Sequence, residues 1–366
     1  VDTGIFQCRP TAFATALPRP SEATSRTSTP RIPFDAPAEA RRALESIGRT
    51  EDLAFSPDGT RLALVGACAA RILILEVRIE SIADPCRVVV RDGFALSPPS
   101  LRFPHGVAFL DADTLIVADR DGYVRVFAIP RSQRDRSHLA PAPRRTIRGG
   151  WRHRLRWPGS VAATETRPGV FDLLVCNNYA NLVTSHRLDT THRMRVENHG
   201  ILLQRGLEIP DGVSISADRR WIAVSNHASG NVFIYARTPS LDRASHPDAV
   251  LSGIVCPHGL RFAAHGRQLF VADAAAPFVH VFEEPAGGWH GEQRPAGSLR
   301  VLDDATFARG RCNAEEGGPK GIDLDREARV LATTCEHQAL AFFDLRSALA
   351  RAVVDAPGPS GTTPSR

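Results

Sequence analysis

Six times along the chain an apolar stretch opens on Pro-x-Gly or a near relative of it. The copies are Thr50-Glu51-Asp52-Leu53, Pro104-His105-Gly106-Val107, Pro158-Gly159-Ser160-Val161, Pro210-Asp211-Gly212-Val213, Pro257-His258-Gly259-Leu260 and Pro319-Lys320-Gly321-Ile322. Counted from Leu53, the spacings are 54, 54, 52, 47 and 62 residues. A period near fifty that leaves room for four short strands per unit predicts an all-β chain: a six-bladed β-propeller with four-stranded blades. Such a ring uses the length as one domain rather than two or three.

The domain boundaries follow from composition. Residues 1–40 are rich in Pro, Ser, Thr and Arg without a strand or helix period and are expected to be disordered. The propeller is expected over 41–355, and 356–366 reads as a flexible tail. Ring closure is expected from either Ala43–Ile47 or Ala352–Val354 as the outer strand of the last blade. Two connections are long. Arg131–Trp157 holds nine Arg against one Asp, a local charge of +8, so the remainder of the chain carries −3 of the total +5. The other, Glu284–Gly318, ends in a run containing Glu315 and Glu316. Long loops on one face of a repeat array commonly make its binding face.

No apolar run approaches the ~18 residues of a membrane helix, so no membrane insertion is expected. The apolar stretch near Ala12–Leu17 is too short for a secretory signal core. Seven scattered cysteines without a C-x-x-C pair argue against a disulfide framework and for a reducing compartment, hence a cytoplasmic protein; a monomer is expected, though nothing in the sequence fixes the oligomeric state. Of 45 basic residues, 44 are Arg and one is Lys320, which sits at the variable position of an opening. Arg152, Arg154 and Arg156 alternate with Leu155 and Trp157, so a strand there would set three guanidinium groups on one side, able to bind a ligand's phosphate or carboxylate. No base-reading motif accompanies them, and nucleic acid is not the expected partner.

The second and fifth units, Pro104–Phe127 and Pro257–Phe282, carry Pro-His-Gly, then Leu-x-Val-Ala-Asp or its near match, then Val-x-Val-Phe. This pattern resembles the NHL-repeat propellers and the wider six-bladed group that includes gluconolactonase-like hydrolases and the peptidyl amidating lyase. The resemblance implies that the variable residue of each opening points into a central channel. The ring is then Glu51, His105, Gly159, Asp211, His258 and Lys320. Two imidazoles and two carboxylates converging on an axis are ligands for a divalent ion, Zn²⁺ or Ca²⁺. Glu51, His105, Asp211 and His258 are therefore the expected metal set. Beside an ion, Lys320 would have a lowered pKa and could act as base or anion partner. Arg120, one position beyond the second strand, is the other catalytic candidate. Asn178, Asn226 and His227 at matching places are candidate ligand-binding residues.

The resemblance further implies roles for these positions. In the amidating lyase, His in Pro-His-x openings ligates zinc, which His105 and His258 match. In the gluconolactonase-like enzymes an early Glu and a Pro-Asp-Gly Asp bind the metal, which Glu51 and Asp211 match. Gly159 departs from that pattern, where those hydrolases carry Asn. The expected function is a channel that binds a divalent metal and a small anionic or carbonyl-bearing ligand, as a hydrolase or lyase. The rival reading is a non-catalytic scaffold that binds a protein or peptide on its loop face.

Overall fold

The computed structural model describes residues 29–80, 86–130, 139–150, 154–312, 315–346 and 348–349. Six antiparallel sheets follow one another along the chain, and each begins with one of the six openings. Blade 1 runs outward from Thr50–Phe55 through Arg61–Gly66 and Arg71–Glu80 to Arg87–Leu96. Blades 2 to 5 repeat this order, with inner strands Pro104–Asp111, Pro158–Arg167, Pro210–Ile215 and Pro257–Phe262. Blade 6 consists of Ile322–Leu324, Val330–Cys335, Gln338–Asp344 and, on its outside, Arg31–Ile32 from the other end of the chain.

That last pairing closes the ring, and it corrects two expectations. Arg31 and Ile32 pair with Phe343 and Phe342, although they fall in the stretch expected to be disordered. Pro30 and Pro33 flank the pair, and proline is tolerated on a short edge strand because its missing N–H faces outward. Ile32 supplies the apolar side chain that the edge buries. Ala43–Ile47 does not form a strand. Ala38–Ser46 is a helix, α1, whose apolar residues Ala40, Ala43, Leu44 and Ile47 recur at helical rather than alternating spacing. It packs on the outer strand of blade 1, where Gly93 makes room: a Cβ there would lie 2.8 Å from that of Ala40. Ala352–Val354 and the tail 356–366 lie outside the described residues, as do residues 1–28.

The core is divided as the ring requires. Among the described residues six apolar clusters occur, and each joins one blade to the next. One of them brings Leu64 and Leu75 of blade 1 together with Val330 and Phe342 of blade 6, so the last interface is as apolar as the others. Two blades gain an extra outer strand running parallel to their own: Phe34–Asp35 on blade 1 and Gly291–Gln293 on blade 4.

Candidate metal centre in the central channel

The inner strands turn their ligand residues inward by the same local device. In blades 1 to 5 the register with the second strand slips at the variable position. Thr50 and Asp52 are paired but Glu51 is skipped, and the slip recurs at His105, Gly159, Asp211 and His258. A bulge leaves its extra residue out of the ladder and re-aims its side chain. The loops leading into these strands are tied down by the residue that ends the second strand. Asp119 accepts the N–H groups of Arg102 and Phe103, Asn177 that of Arg156, and Asp273 those of Val255 and Cys256.

The bulged side chains meet in the channel. Glu51, His105 and His258 are all buried, and one ligand atom from each lies within 4.8 Å of the other two. Glu51 Oε2 is 3.6 Å from His105 Nε2 and 3.8 Å from His258 Nε2. The imidazole rings stack at 5.4 Å between centroids. His105 Nδ1 lies 2.7 Å from the carbonyl oxygen of Gly159. A carbonyl only accepts, so Nδ1 carries the proton and Nε2 presents its lone pair. Burial, with Arg120 adding to it, pushes His105 down to about 3, so the ring is neutral near pH 7, the form in which imidazole binds metal. Glu51, His105 and His258 line, with Asp211, Asp52 and Arg261 among others, a cavity of about 10 Å³, room for one water-sized particle.

Two of these atoms, Glu51 Oε2 and His105 Nε2, are buried without a hydrogen-bond partner. Buried polar atoms are rarely left so, and an ion between them would satisfy both. The donor set of two imidazoles and a carboxylate fits Zn²⁺ better than the oxygen-preferring Ca²⁺.

Asp211, expected as a fourth ligand, lies outside this trio. Its Oδ2 is 3.1 Å from His258 Nε2, and its Oδ1 accepts the Asn178 amide at 2.7 Å. Burial alone would raise its pKa; His258, His105 and Arg120 outweigh that and hold Asp211 below the usual carboxylate range. The slot that Gly159 leaves empty is filled by the Asn178 side chain, since a Cβ on Gly159 would fall 1.9 Å from Asn178 Oδ1. A side chain from the turn after the second strand of blade 3 thus completes the ring at the position where the inner strand has none.

Lys320 is placed in the channel but not with the lowered pKa expected of a base. Its Nζ is 3.3 Å from Glu51 Oε2 and 2.9 Å from Glu316 Oε2. Burial would lower its pKa, and the two carboxylates more than reverse this, so the ammonium is retained. Lys320 is a charged clamp on Glu51. Arg49 is a second one, paired with the other oxygen of Glu51 and with Glu316 and Glu336. Burial would raise Glu51; Lys320, His105 and Arg49 hold it well below the ordinary range.

The remaining candidates separate. Arg120 Nη2 is 3.9 Å from Asp211 Oδ1, and His227 Nε2 is 3.6 Å from Glu316 Oε1 with its ring edge-on to His258. Both border the site. Asn226 does structural work instead: its amide accepts from Glu208 N–H and donates to Asn231, the tethering part that Asp119 and Asn177 play in their blades. Arg154 and Arg156 are exposed on either side of buried Leu155, with only an isolated bridge from Arg154 to Gly149 in place of a strand. Arg152 lies outside the described residues.

Glu316, Glu336, Arg49 and Arg261 are charged neighbours of this cluster that the motif reading missed. Arg261 reaches Asp52 at 3.3 Å and Asp323 at 3.4 Å, one layer further along the inner strands, and lines the same small cavity. Burial raises Asp52 to about 6 despite Arg261. Aligning the repeats three places beyond the variable residue reads Ala54, Ala108, Ala162, Ser214, Arg261, Asp323. An Arg and an Asp among small residues in that column were the available signal.

No protein-family model matches the sequence, and no curated protein does so either. Among solved structures, the chain is similar to a functionally unknown protein from Desulfotomaculum acetoxidans, with a TM-score of 0.50 and 13% identity over 81% of this chain and 83% of that one. At that identity the likeness shows the fold alone.

Proposed function

We propose that the channel is a divalent-metal centre, held by Glu51, His105 and His258, that acts on a small anionic or carbonyl-bearing ligand as a hydrolase or lyase. The observation that carries the metal is that Glu51 Oε2 and His105 Nε2, 3.6 Å apart and both buried without a hydrogen bond, lie with a ligand atom of His258 within 4.8 Å of one another. The reaction class rests on less. It is supported by the resemblance of the Pro-His-Gly openings and of Glu51 to gluconolactonase-like hydrolases and the amidating lyase.

A divalent ion bound there would supply Lewis acidity toward a carbonyl or a bound water. The chain's own residues supply the rest. Gly159 fixes the tautomer of His105 through Nδ1. Lys320 and Arg49 keep Glu51 ionised, and the Asp211 carboxylate flanks His258 Nε2 at 3.1 Å. Arg120 offers N–H donors to an oxyanion at the edge of the site. We also propose a cytoplasmic protein, a reading that the six free cysteines of the described residues support.

Elemental analysis of protein purified without chelator tests the centre. One equivalent of metal is expected, and His105→Ala combined with His258→Ala should abolish it while circular dichroism stays unchanged. Wild-type protein that holds no stoichiometric metal and gains no thermal stability from Zn²⁺, Ca²⁺ or Mn²⁺ would leave the scaffold reading in its place.

A further inference from the structure

The opposite face of the ring, where the inner strands end, carries a cleft between blades 3 and 4. Its volume is about 510 Å³, within the range of small-molecule sites. Its lining shares no residue with the cavity at the metal centre. One wall is the end of the blade 3 inner strand, and the other is the turn that follows the blade 4 inner strand. Each wall departs from the regular repeat, and each departure brings an arginine into the cleft.

The inner strand of blade 3, Pro158–Arg167, has ten residues and is the longest of the six, so its end stands beyond those of its neighbours. Its ladder slips between Glu165 and Arg167 and leaves Thr166 out. Such a bulge shifts the alternation by one place, which sets Arg167 on the side of Thr164. That side faces blade 4, since Ala162, two places before Thr164, packs into the apolar cluster that contains Val213. Arg167 is exposed, and among the described residues no carboxylate pairs with it.

Arg219 enters from the other wall. Blades 1, 4, 5 and 6 join inner and second strands by the same turn, whose fourth residue donates its N–H to the carbonyl of the first. The pairs are Gly59 with Ser56, Arg219 with Ser216, Gly266 with Ala263 and Ala328 with Asp325. All four donors hold a left-handed backbone, at φ 71°, 62°, 73° and 50°. Glycine takes this conformation freely, whereas a long side chain is strained in it. Strain of this kind concentrates where a side chain has a task. Arg219 Nη1 lies 3.5 Å from the carbonyl oxygen of Glu165, at the outer limit of a hydrogen bond. Its neighbour Asp218 is taken by the Ser216 hydroxyl and by Arg220, and no carboxylate among the described residues pairs with Arg219.

Two guanidinium groups without a counter-charge thus reach one cleft from two blades. Beside them stand the hydroxyl of Thr164 and the carboxylate of Glu165, one oxygen of which accepts the Gly169 N–H at 2.8 Å. Paired guanidinium groups match a phosphate, and a hydroxyl next to a carboxylate matches the hydroxyls of a polyol. We propose that this cleft is a second binding site and that it takes a sugar phosphate. The phosphate lies between Arg167 and Arg219, and the sugar hydroxyls bond Thr164 and Glu165. The site is independent of the metal centre: Arg167 is eight residues beyond Gly159 along an extended strand, roughly 26 Å away.

Calorimetric titration of chelator-treated protein tests it, with glucose 6-phosphate, ribose 5-phosphate, glucose and inorganic phosphate as probes. Chelation removes any metal that would hold phosphate in the channel. At least one sugar phosphate should bind at least about tenfold tighter than inorganic phosphate, and glucose should not saturate. Arg167→Gln and Arg219→Gly should each weaken the sugar phosphate at least about tenfold. Arg219→Gly installs the residue that blades 1 and 5 use at this turn, so its melting temperature should equal or exceed that of wild type while binding falls. Thr164→Val should shrink the advantage of the sugar phosphate over inorganic phosphate and leave inorganic phosphate unaffected. His105→Ala combined with His258→Ala, folded by its melting curve, should bind as wild type does. Four results would each overturn the site: no sugar phosphate bound at millimolar concentration, inorganic phosphate bound equally well, binding lost in the folded histidine variant, or unchanged binding in Arg219→Gly.

Discussion

At Gly212 there is no room for a side chain, because a Cβ would sit 2.3 Å from the carbonyl oxygen of His258 in the next blade. Gly259 stands in the same relation to Lys320, at 2.4 Å. The glycine of Pro-x-Gly thus lets neighbouring inner strands approach closely enough to bring their bulged residues around one axis. Packed backbone cannot yield a full ångström, so Gly212→Ala should lower unfolding free energy by about 2 kcal/mol or more. Denaturant titration measures this, and a loss of a few tenths would show that the ring can widen. The same closeness explains the charge at the site. Glu51 is buried among Lys320, Arg49, His105 and His258, and a lone carboxylate could not remain ionised there without them.

At the scale of a strand, blade 3 carries a buried histidine that does no work in the channel. His186 in Leu182–Asp189 bonds Asn198 Oδ1 through Nδ1 at 2.8 Å and Thr184 Oγ1 through Nε2 at 2.9 Å. Burial, with His199 nearby, lowers it to about 4, outweighing the Asn198 bond. The unfolded chain therefore takes up a proton near pH 6.5 that the folded chain refuses until about pH 4. Stability from the neutral ring is fully present above pH 6.5 and is lost as pH falls through that window. The lead of wild type over His186→Gln should shrink by something on the order of 3 kcal/mol between pH 7 and pH 4. Parallel pH curves for the two proteins would refute the assignment.

For the whole molecule the decisive contact is two residues long. Arg31–Ile32 joins blade 6 to the start of the chain, and the interface between blades 6 and 1 includes Ile32 in its apolar cluster. Without that strand the outer edge of blade 6 exposes unpaired N–H and C=O groups. A chain starting at Pro37 should therefore melt several degrees below one starting at Thr29 and be more prone to aggregate. Equal melting temperatures in differential scanning calorimetry would mean that the ring stays closed without the strand. The expectation that residues 1–40 carry no structure failed at this point, because a two-residue strand between prolines has no periodicity to detect.

What the sequence determined by itself is what repeats. Six openings at near-equal spacing encode the blade count, because each unit buries its faces only against its neighbours. The bulged positions Glu51, His105, Asp211 and His258 were legible for the same reason: they occupy one column of the repeat. Tertiary structure alone decided which of them share a point in space. Only there does Asn178 fill the slot of Gly159, Asp211 turn to His258, and Lys320 keep its charge between Glu51 and Glu316. The physical reason is that a repeat constrains each backbone locally. Distances across the channel, and the charges they permit, depend on residues from different blades, such as Glu51 and Lys320, that meet only when the ring has closed.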